Sequence, residues 1–559
     1  MPQDAFSLFA AAEELDSALK KAKINKITQP NKDEINMLVY TLSGSKTLTV
    51  SANAESCRVC FTRAEKSAPK VAPNFCMLLR KHLLGAVIES VKLVGYERII
   101  AVTFACKNDF RENVVKVLYC EIMGKYSNLI LTENGIILGC LKNAPLDVAT
   151  TRLTLSGAKY TLPKPQDKAD ILCKEETVSR LSAFSGEDKE KFLFENVKGL
   201  SYATAAEAAL KISPLKTPEE AYEKLAKFLL SPPLKPNIAG EGKLRDFYVA
   251  DYVTVSGEKE FYPTVSEAAD AFYSAKENKK AFDTKKKKLS DAVNGQIKKL
   301  NKKLQGEEEK IAEAEKLEVL KVKGDLILAN LWRIKQGDKE CVLENYYDDM
   351  KPVKISLDVN LSPSKNAQKY YKKYAKDKRA LEILVPEREK TKNALTYLSS
   401  VIYELSEAKE ITDFDDVETE LISAGLLPPI KQKKKEIKES PFALYEYKGY
   451  KIKRGKNNLQ NDRLTSRAFQ GDTWLHTKGY HSSHVIVETK GEEIPKEVIL
   501  VAAEICAYYS DAKEGNKIPV DYALKKFVKK PNGAKPGSVI YTDYKTCIVN
   551  PAPHEELKI

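Results

Sequence analysis

Residues 374–405 read YAKDKRALEILVPEREKTKNALTYLSSVIYEL, and their spacing decides the architecture. Tyr374, Leu381, Leu395 and Ile402 stand multiples of seven apart, and Leu384, Leu398 and Leu405 repeat the pattern three positions on. On a helix such positions form one narrow apolar stripe, an a/d seam, which must be covered by a second helix. The chain offers one upstream. Ile297, Leu300, Leu304, Ile311 and Ala314 continue a helical pattern from a lysine-rich stretch over 276–303 to about Trp332. An outgoing and a returning helix predict an antiparallel coiled-coil arm over 271–427, with a small tip module near 337–363. At about 1.5 Å per residue, a return helix of roughly 45 residues spans on the order of 65 Å. Pro386 predicts a kink in it.

Working outward from the arm, residues 6–23 have Leu8, Ala11, Leu15 and Leu19 at helical spacing. Strand-like runs follow at 36–42, 48–51 and 58–62, then a helix over 73–85 stopped by Gly85, then strands at 99–104, 114–122, 128–131 and 135–141. This predicts an α+β domain over 1–172. Residues 173–270 read as mostly helical, and Lys198-Gly199-Leu200-Ser201 resembles half of a helix-hairpin-helix turn. Beyond the arm, a basic linker (428–440) leads to a compact α+β domain over 441–559. Its strands are expected at 442–453, 474–478, 485–489 and 539–549, around a helix at 495–510. The fold class is therefore α+β, multidomain.

The composition narrows the function. The 559 residues carry a net charge of +13, which favours a polyanionic partner. The excess is clustered: Lys448, Lys451, Lys453, Arg454 and Lys456 form one group, and Lys525, Lys526, Lys529, Lys530 and Lys535 another. No apolar run approaches the ~18 residues of a membrane span, so no membrane partner is expected. The acidic first twenty residues predict no secretory signal, and the scattered cysteines read as reduced thiols of a cytoplasmic protein. Phosphate-binding loops of the GxxxxGK[ST] kind, dinucleotide fingerprints and GxSxG elbows are all missing. No catalytic residue, metal or cofactor is therefore expected. Cys57-x-x-Cys60 has no second pair, and His476, His481 and His484 read as packing around Trp474.

Certain stretches carry a resemblance. GKNNLQN (455–461), WLHTK (474–478), SHV (483–485), PVDY (519–522) and KKPNGAKPG (529–537) resemble the NFACT-R RNA-binding domain. FCMLLRKHLLG (75–85) and EIMGKYSN (121–128) resemble the NFACT-N domain. In this order, with an arm between them, they resemble the bacterial RqcH-type branch of the NFACT family over essentially the whole chain. The resemblance implies a glycosylase-like N-terminal fold with a helix-hairpin-helix region, an arm, and an NFACT-R domain on ribosomal RNA. It implies a ribosome-associated quality-control factor that binds obstructed large ribosomal subunits, through rRNA and ribosomal proteins, where they carry peptidyl-tRNA. Such a factor recruits alanyl-tRNA for template-free alanine tailing. It is not an enzyme, since the ribosome makes the peptide bonds.

By the same resemblance, Asp4, Glu97, Arg98, Glu121 and Lys125 are expected to contact tRNA. Arg454, Lys456, Asn457, Asn458, Lys478, His484, Lys529, Lys530 and Lys535 are expected to contact rRNA. The sequence departs from the family pattern at Ala5, where glycine is usual, and at Glu97, where aspartate is usual. Two alternatives belong to other classes. One is a surface adhesin binding fibronectin as a secondary role. The other is a DNA glycosylase or abasic-site lyase using an N-terminal Pro2, which is disfavoured because Gln3 stands where those enzymes carry glutamate.

Overall fold

The computed structural model describes residues 3–559 except 108–110, 144–151, 165, 185, 214–216, 243–244, 315, 429–439 and 490–492. The expected linker at 428–440 lies almost wholly outside the described residues. The chain divides into two compact units, Met1–Lys280 and Ala281–Ile559.

The first unit is built on a nine-stranded sheet. After helix α1 (Ala5–Leu19) come β1 (Lys23–Asn31), β2 (Glu34–Thr41), β3 (Gly44–Ser51) and β4 (Arg58–Thr62). Helix α2 (Asn74–Leu83) precedes β5 (Val87–Leu93), β6 (Ile99–Lys107), β7 (Asn113–Glu121), β8 (Asn128–Glu133) and β9 (Ile136–Cys140). The order is β4-β3-β2-β1-β5-β6-β7-β8-β9, with every neighbour antiparallel. Alternate residues of β6 and β7 turn inward, as a half-buried sheet requires. Leu8, Leu15 and Leu19 of α1 and Phe75, Leu79 and Leu83 of α2 complete its core.

Four helices follow: α3 (Lys174–Ser182), α4 (Lys189–Asn196), α5 (Tyr202–Ile212) and α6 (Pro218–Leu230). Ser201 caps α5 by accepting from the Thr204 amide at 3.2 Å. A small sheet of β10 (Asn237–Ala239), β11 (Asp246–Tyr248) and β12 (Glu260–Phe261) leads to helix α7 (Val265–Ala314).

In the second unit the expected continuous helix to Trp332 is divided: α7 ends at Ala314 and α8 occupies Leu317–Ala329. The expected tip module is a hairpin of β13 (Glu340–Asn345) and β14 (Lys351–Ser356). Helix α9 (Pro363–Glu407) runs through Pro386. Along it Tyr374, Leu381, Leu384, Leu395 and Ile402 are half-buried, and Leu398 and Leu405 buried, so the repeat lies on the covered side. Leu289 and Val293 of α7 pack on Leu398, Val401 and Leu405. Lys286 reaches the Ser406 carbonyl at 3.3 Å and Lys303 lies 3.6 Å from Glu387, so the two helices run antiparallel. Helix α10 (Asp413–Ser423) adds Phe414, Val417 and Leu421 to this cluster.

The C-terminal part holds β15 (Ala443–Tyr447), β16 (Tyr450–Arg454), α11 (Asn458–Arg467), β17 (Thr473–Thr477), β18 (Val485–Val487) and α12 (Lys496–Tyr508). They are followed by β19 (Ile518–Leu524), β20 (Val528–Lys529), β21 (Ile540–Tyr541) and β22 (Lys545–Val549). Six strands form one antiparallel sheet, β15-β16-β18-β17-β19-β22. Leu475 joins the core under α12, while its neighbour Trp474 joins the core with Leu464 of α11, so the two sheet faces carry one helix each. The single expected strand at 442–453 is a hairpin turned at Lys448-Gly449, both with positive φ. No helix among the described residues is long and apolar enough to cross a membrane.

Candidate nucleic-acid interface

Four of the five N-terminal candidates, Glu97, Arg98, Glu121 and Lys125, lie near one end of the sheet. Ile99 is in register with Glu121, and the Arg98 carbonyl accepts from the Ile122 amide at 2.8 Å. Arg98 and Glu97 thus adjoin the 121–125 segment. Both are half-buried, and Lys125 is exposed over the Tyr126 ring. Burial pushes the Glu97 carboxyl upward; Lys198 opposes this and Asp170 reinforces it. Glu121 is buried. It takes both guanidinium nitrogens of Arg152, at 2.5 and 3.0 Å, and the Tyr160 hydroxyl at 3.0 Å.

Asp4 is also buried, and three donors occupy its carboxylate. Oδ1 accepts from the Ser7 amide at 2.8 Å, capping α1. Oδ2 accepts from the Ser201 amide at 3.0 Å and the Thr204 hydroxyl at 2.5 Å, at the start of α5. Asp4 therefore ties the start of α1 to the start of α5 and is fully engaged within the protein, whereas Arg98 and Lys125 are the two cations among the N-terminal candidates. Lys168 and Lys198 border Glu97; neither was expected there, since Lys168 lies in no motif and Lys198 was noted only as the first residue of the 198–201 turn.

The C-terminal candidates separate into a buried and an exposed set. Asn457 caps α11 by accepting from the Gln460 amide at 2.8 Å, and its amide group donates to Asp416 of α10 at 3.2 Å. The Asn458 amide N–H donates to Glu404 of α9 at 2.7 Å, and its side chain donates to Ser400 at 3.1 Å and Glu420 at 3.3 Å. Burial pushes the Glu404 and Glu420 carboxyls above their ordinary range. Arg454 is buried with its guanidinium 3.5 Å from the Tyr509 ring centre, and Lys456 lies 3.5 Å from Asp413. His484 is buried, bonded to Thr465 at 2.8 Å. His476 lies parallel to Trp474, ring centres 5.7 Å apart, with His484 edge-on to both. Burial pushes His476 down to about 4 and His484 to about 3, so both rings are neutral at pH 7.

The exposed set is Lys478, Lys529, Lys530 and Lys535. Lys478 spans the Tyr544 ring and Asp521, and Lys535 stands 5.3 Å over Tyr397 of α9. Lys530 pairs with Asp462, whose other oxygen accepts from the Gly537 amide at 2.9 Å, so α11 anchors the lysine loop at both ends. Gly537 has φ +77°, and a Cβ there would stand 2.4 Å from the Asn458 oxygen. The anchored loop presents exposed ammonium groups on a fixed backbone, a chemistry suited to phosphates.

Comparison with known proteins identifies the family. Residues 4–440 match the model of the NFACT N-terminal and middle domains, and residues 441–543 that of the NFACT protein RNA binding domain. The chain is 32% identical over its full length to the full-length Rqc2 homolog RqcH of Bacillus subtilis. It is 31% identical to Rqc2 homolog RqcH of Streptococcus suis, over 99% of this chain and 98% of that one. Among solved structures, the C-terminal part of the fibronectin/fibrinogen-binding protein from Streptococcus suis is 32% identical. That alignment covers 50% of this chain and 99% of that one, with a TM-score of 0.40. The chain belongs to the NFACT family, in its bacterial RqcH-type branch.

Proposed function

We propose that the chain acts in ribosome-associated quality control, binding obstructed large ribosomal subunits that carry peptidyl-tRNA and recruiting alanyl-tRNA for template-free alanine tailing. The observation that carries this reading is the similarity to RqcH over the full length of both chains. The surface chemistry supports it. Lys478, Lys529 and Lys535 offer exposed ammonium groups to ribosomal RNA, and Arg98 offers a guanidinium whose backbone is pinned to Ile122. In this reading 271–427 is a coiled-coil arm that reaches along the subunit, and the chain positions substrates while the ribosome forms the bonds.

The test is cosedimentation with large subunits, followed by sequencing of the copurified tRNA. The wild type should carry subunits and tRNA-Ala. Arg98→Ala should keep the subunits and lose both the tRNA and the alanine tails. Normal tails from Arg98→Ala in cells lacking the native protein would overturn the tRNA assignment. Absence of cosedimentation at moderate salt would overturn the whole reading.

A further inference from the structure

A cavity of about 530 Å³ opens between α9, the 476–483 segment and the lysine loop. Its size lies within the range of sites that enclose a single small ligand, and its lining is unusually polar for one. Asn393 and Ser400 come from α9, His476 and Tyr480 from the β17 end, and Lys535 from the loop. The side chains differ in exposure. His476 is fixed by its stack on Trp474, whereas Tyr480 is 44% exposed and Lys535 is exposed at its place over Tyr397. Burial keeps His476 neutral at pH 7, so its ring offers one donor and one acceptor nitrogen rather than a charge. Positive charge comes instead from Lys535 and from Lys456, which also lines the cavity.

A flat polar-edged ligand with an attached anion fits this division. Rings and an amide surround the interior, and ammonium groups border it. Proteins read unpaired RNA in this way, stacking an extruded base on aromatic rings, bonding its edge, and holding the phosphate with lysine. A duplex offers no such base, because its bases are stacked and paired within the helix. We propose that this cavity takes one unstacked nucleotide of a single-stranded RNA segment, its base among His476, Tyr480 and Asn393 and its phosphate at Lys535. The proposal rests on the reading of this domain as RNA-binding. It adds that the domain selects a splayed-out base in addition to backbone charge.

The experiment titrates the full chain with three probes of similar charge: a single-stranded RNA hexamer, an RNA duplex, and inorganic polyphosphate. The variant is Asn393→Ala/Tyr480→Ala, at two exposed positions. The single strand should bind the wild type more tightly than the duplex. The variant should lose about 5- to 150-fold in affinity for the single strand, the range for one stacked base. Its affinity for polyphosphate should stay unchanged. A hexamer carrying 4-thiouridine should crosslink to the 474–484 peptide in the wild type only. Equal weakening toward all three probes, or no weakening, would overturn the base site and leave RNA binding standing. Binding of none of the probes would overturn both. A crosslink mapping only to the lysine loop would also overturn the base site.

Discussion

Arg58 has no exposed surface, yet it carries a full charge inside the first unit. Its guanidinium donates to Glu277 of α7 at 2.5 and 3.3 Å and to the Ser56 carbonyl at 3.0 Å. Lys66 bridges Glu277 at 2.7 Å and Glu34 at 2.8 Å. Burial pushes the Glu277 carboxyl up, but Arg58 and then Lys66 outweigh it and hold it at about 2 against an ordinary 4.5. At 1.36 kcal/mol for each pH unit, that drop corresponds to about 3.4 kcal/mol. The value agrees with the ~3–5 kcal/mol expected when a buried pair loses one partner. Glu277→Gln keeps the shape and one acceptor oxygen but removes the charge.

The expected loss is therefore about 3 kcal/mol, or roughly 150-fold in an opening equilibrium. Hydrogen–deuterium exchange of the β3, β4 and 265–280 amides at pH 7 reads it directly. The carboxyl is lowered in the folded state, so its stabilisation is present above pH 4.5 and lost as pH falls toward 2. The gap between variant and wild type should close over that interval. A change in protection of less than threefold at pH 7 would refute the reasoning.

Other outcomes follow from individual side chains. Gly199→Ala should destabilise the first unit by about 1–3 kcal/mol, because φ is +73° and the added Cβ would stand 2.3 Å from that of Ala5; thermal melts of the full chain check it. Glu404 and Glu420 have raised carboxyls, so their contribution is complete below about pH 4.5 and declines as pH rises through the raised values. Glu404→Gln retains an oxygen for the Asn458 amide and should flatten that decline, as followed by Trp474 fluorescence in urea at pH 5 and 8. Lys529→Ala/Lys535→Ala should weaken subunit binding and lower the salt slope by ~1 for each phosphate no longer neutralised, measured by sedimentation across a salt series.

What the sequence made legible depended on whether packing was apolar and regular. The seam of α9 was plain because its apolar residues stand at fixed spacing along one side of the helix, and β6 and β7 were plain because inward-turning residues alternate along them. Strands β1 and β5 escaped for a local reason: each carries a register shift, at Ile24/Lys26 and Ile88/Ser90, which breaks the two-residue period. Helix α11 escaped because its buried residues are Asn458, Gln460, Asn461, Leu464 and Thr465, which show almost no hydrophobic period. The site was legible in the same uneven way. Lys529, Lys530 and Lys535 stood out by their clustering, whereas Lys478 was expected only from the resemblance. The roles of Asn457 and Asn458 in holding α9 and α10 depend on Glu404, Asp416 and Glu420, carboxylates 38 to 54 residues away that no local motif signals.

The clamp made by Asp4 sets an order of events during synthesis. Its carboxylate caps α1 from within but also requires the Ser201 amide and the Thr204 hydroxyl, about two hundred residues later. An emerging chain can pair β1 to β4 and, once β5 follows, seat α1 against it, with Asp4 still half-bonded. Only when α5 has left the exit tunnel can the clamp close and the Ala5 amide find the Gly199 carbonyl at 2.7 Å. The surface around Glu97 and Arg98 is therefore completed late, and a nascent fragment ending before Ser201 carries the sheet without a finished Asp4 cradle.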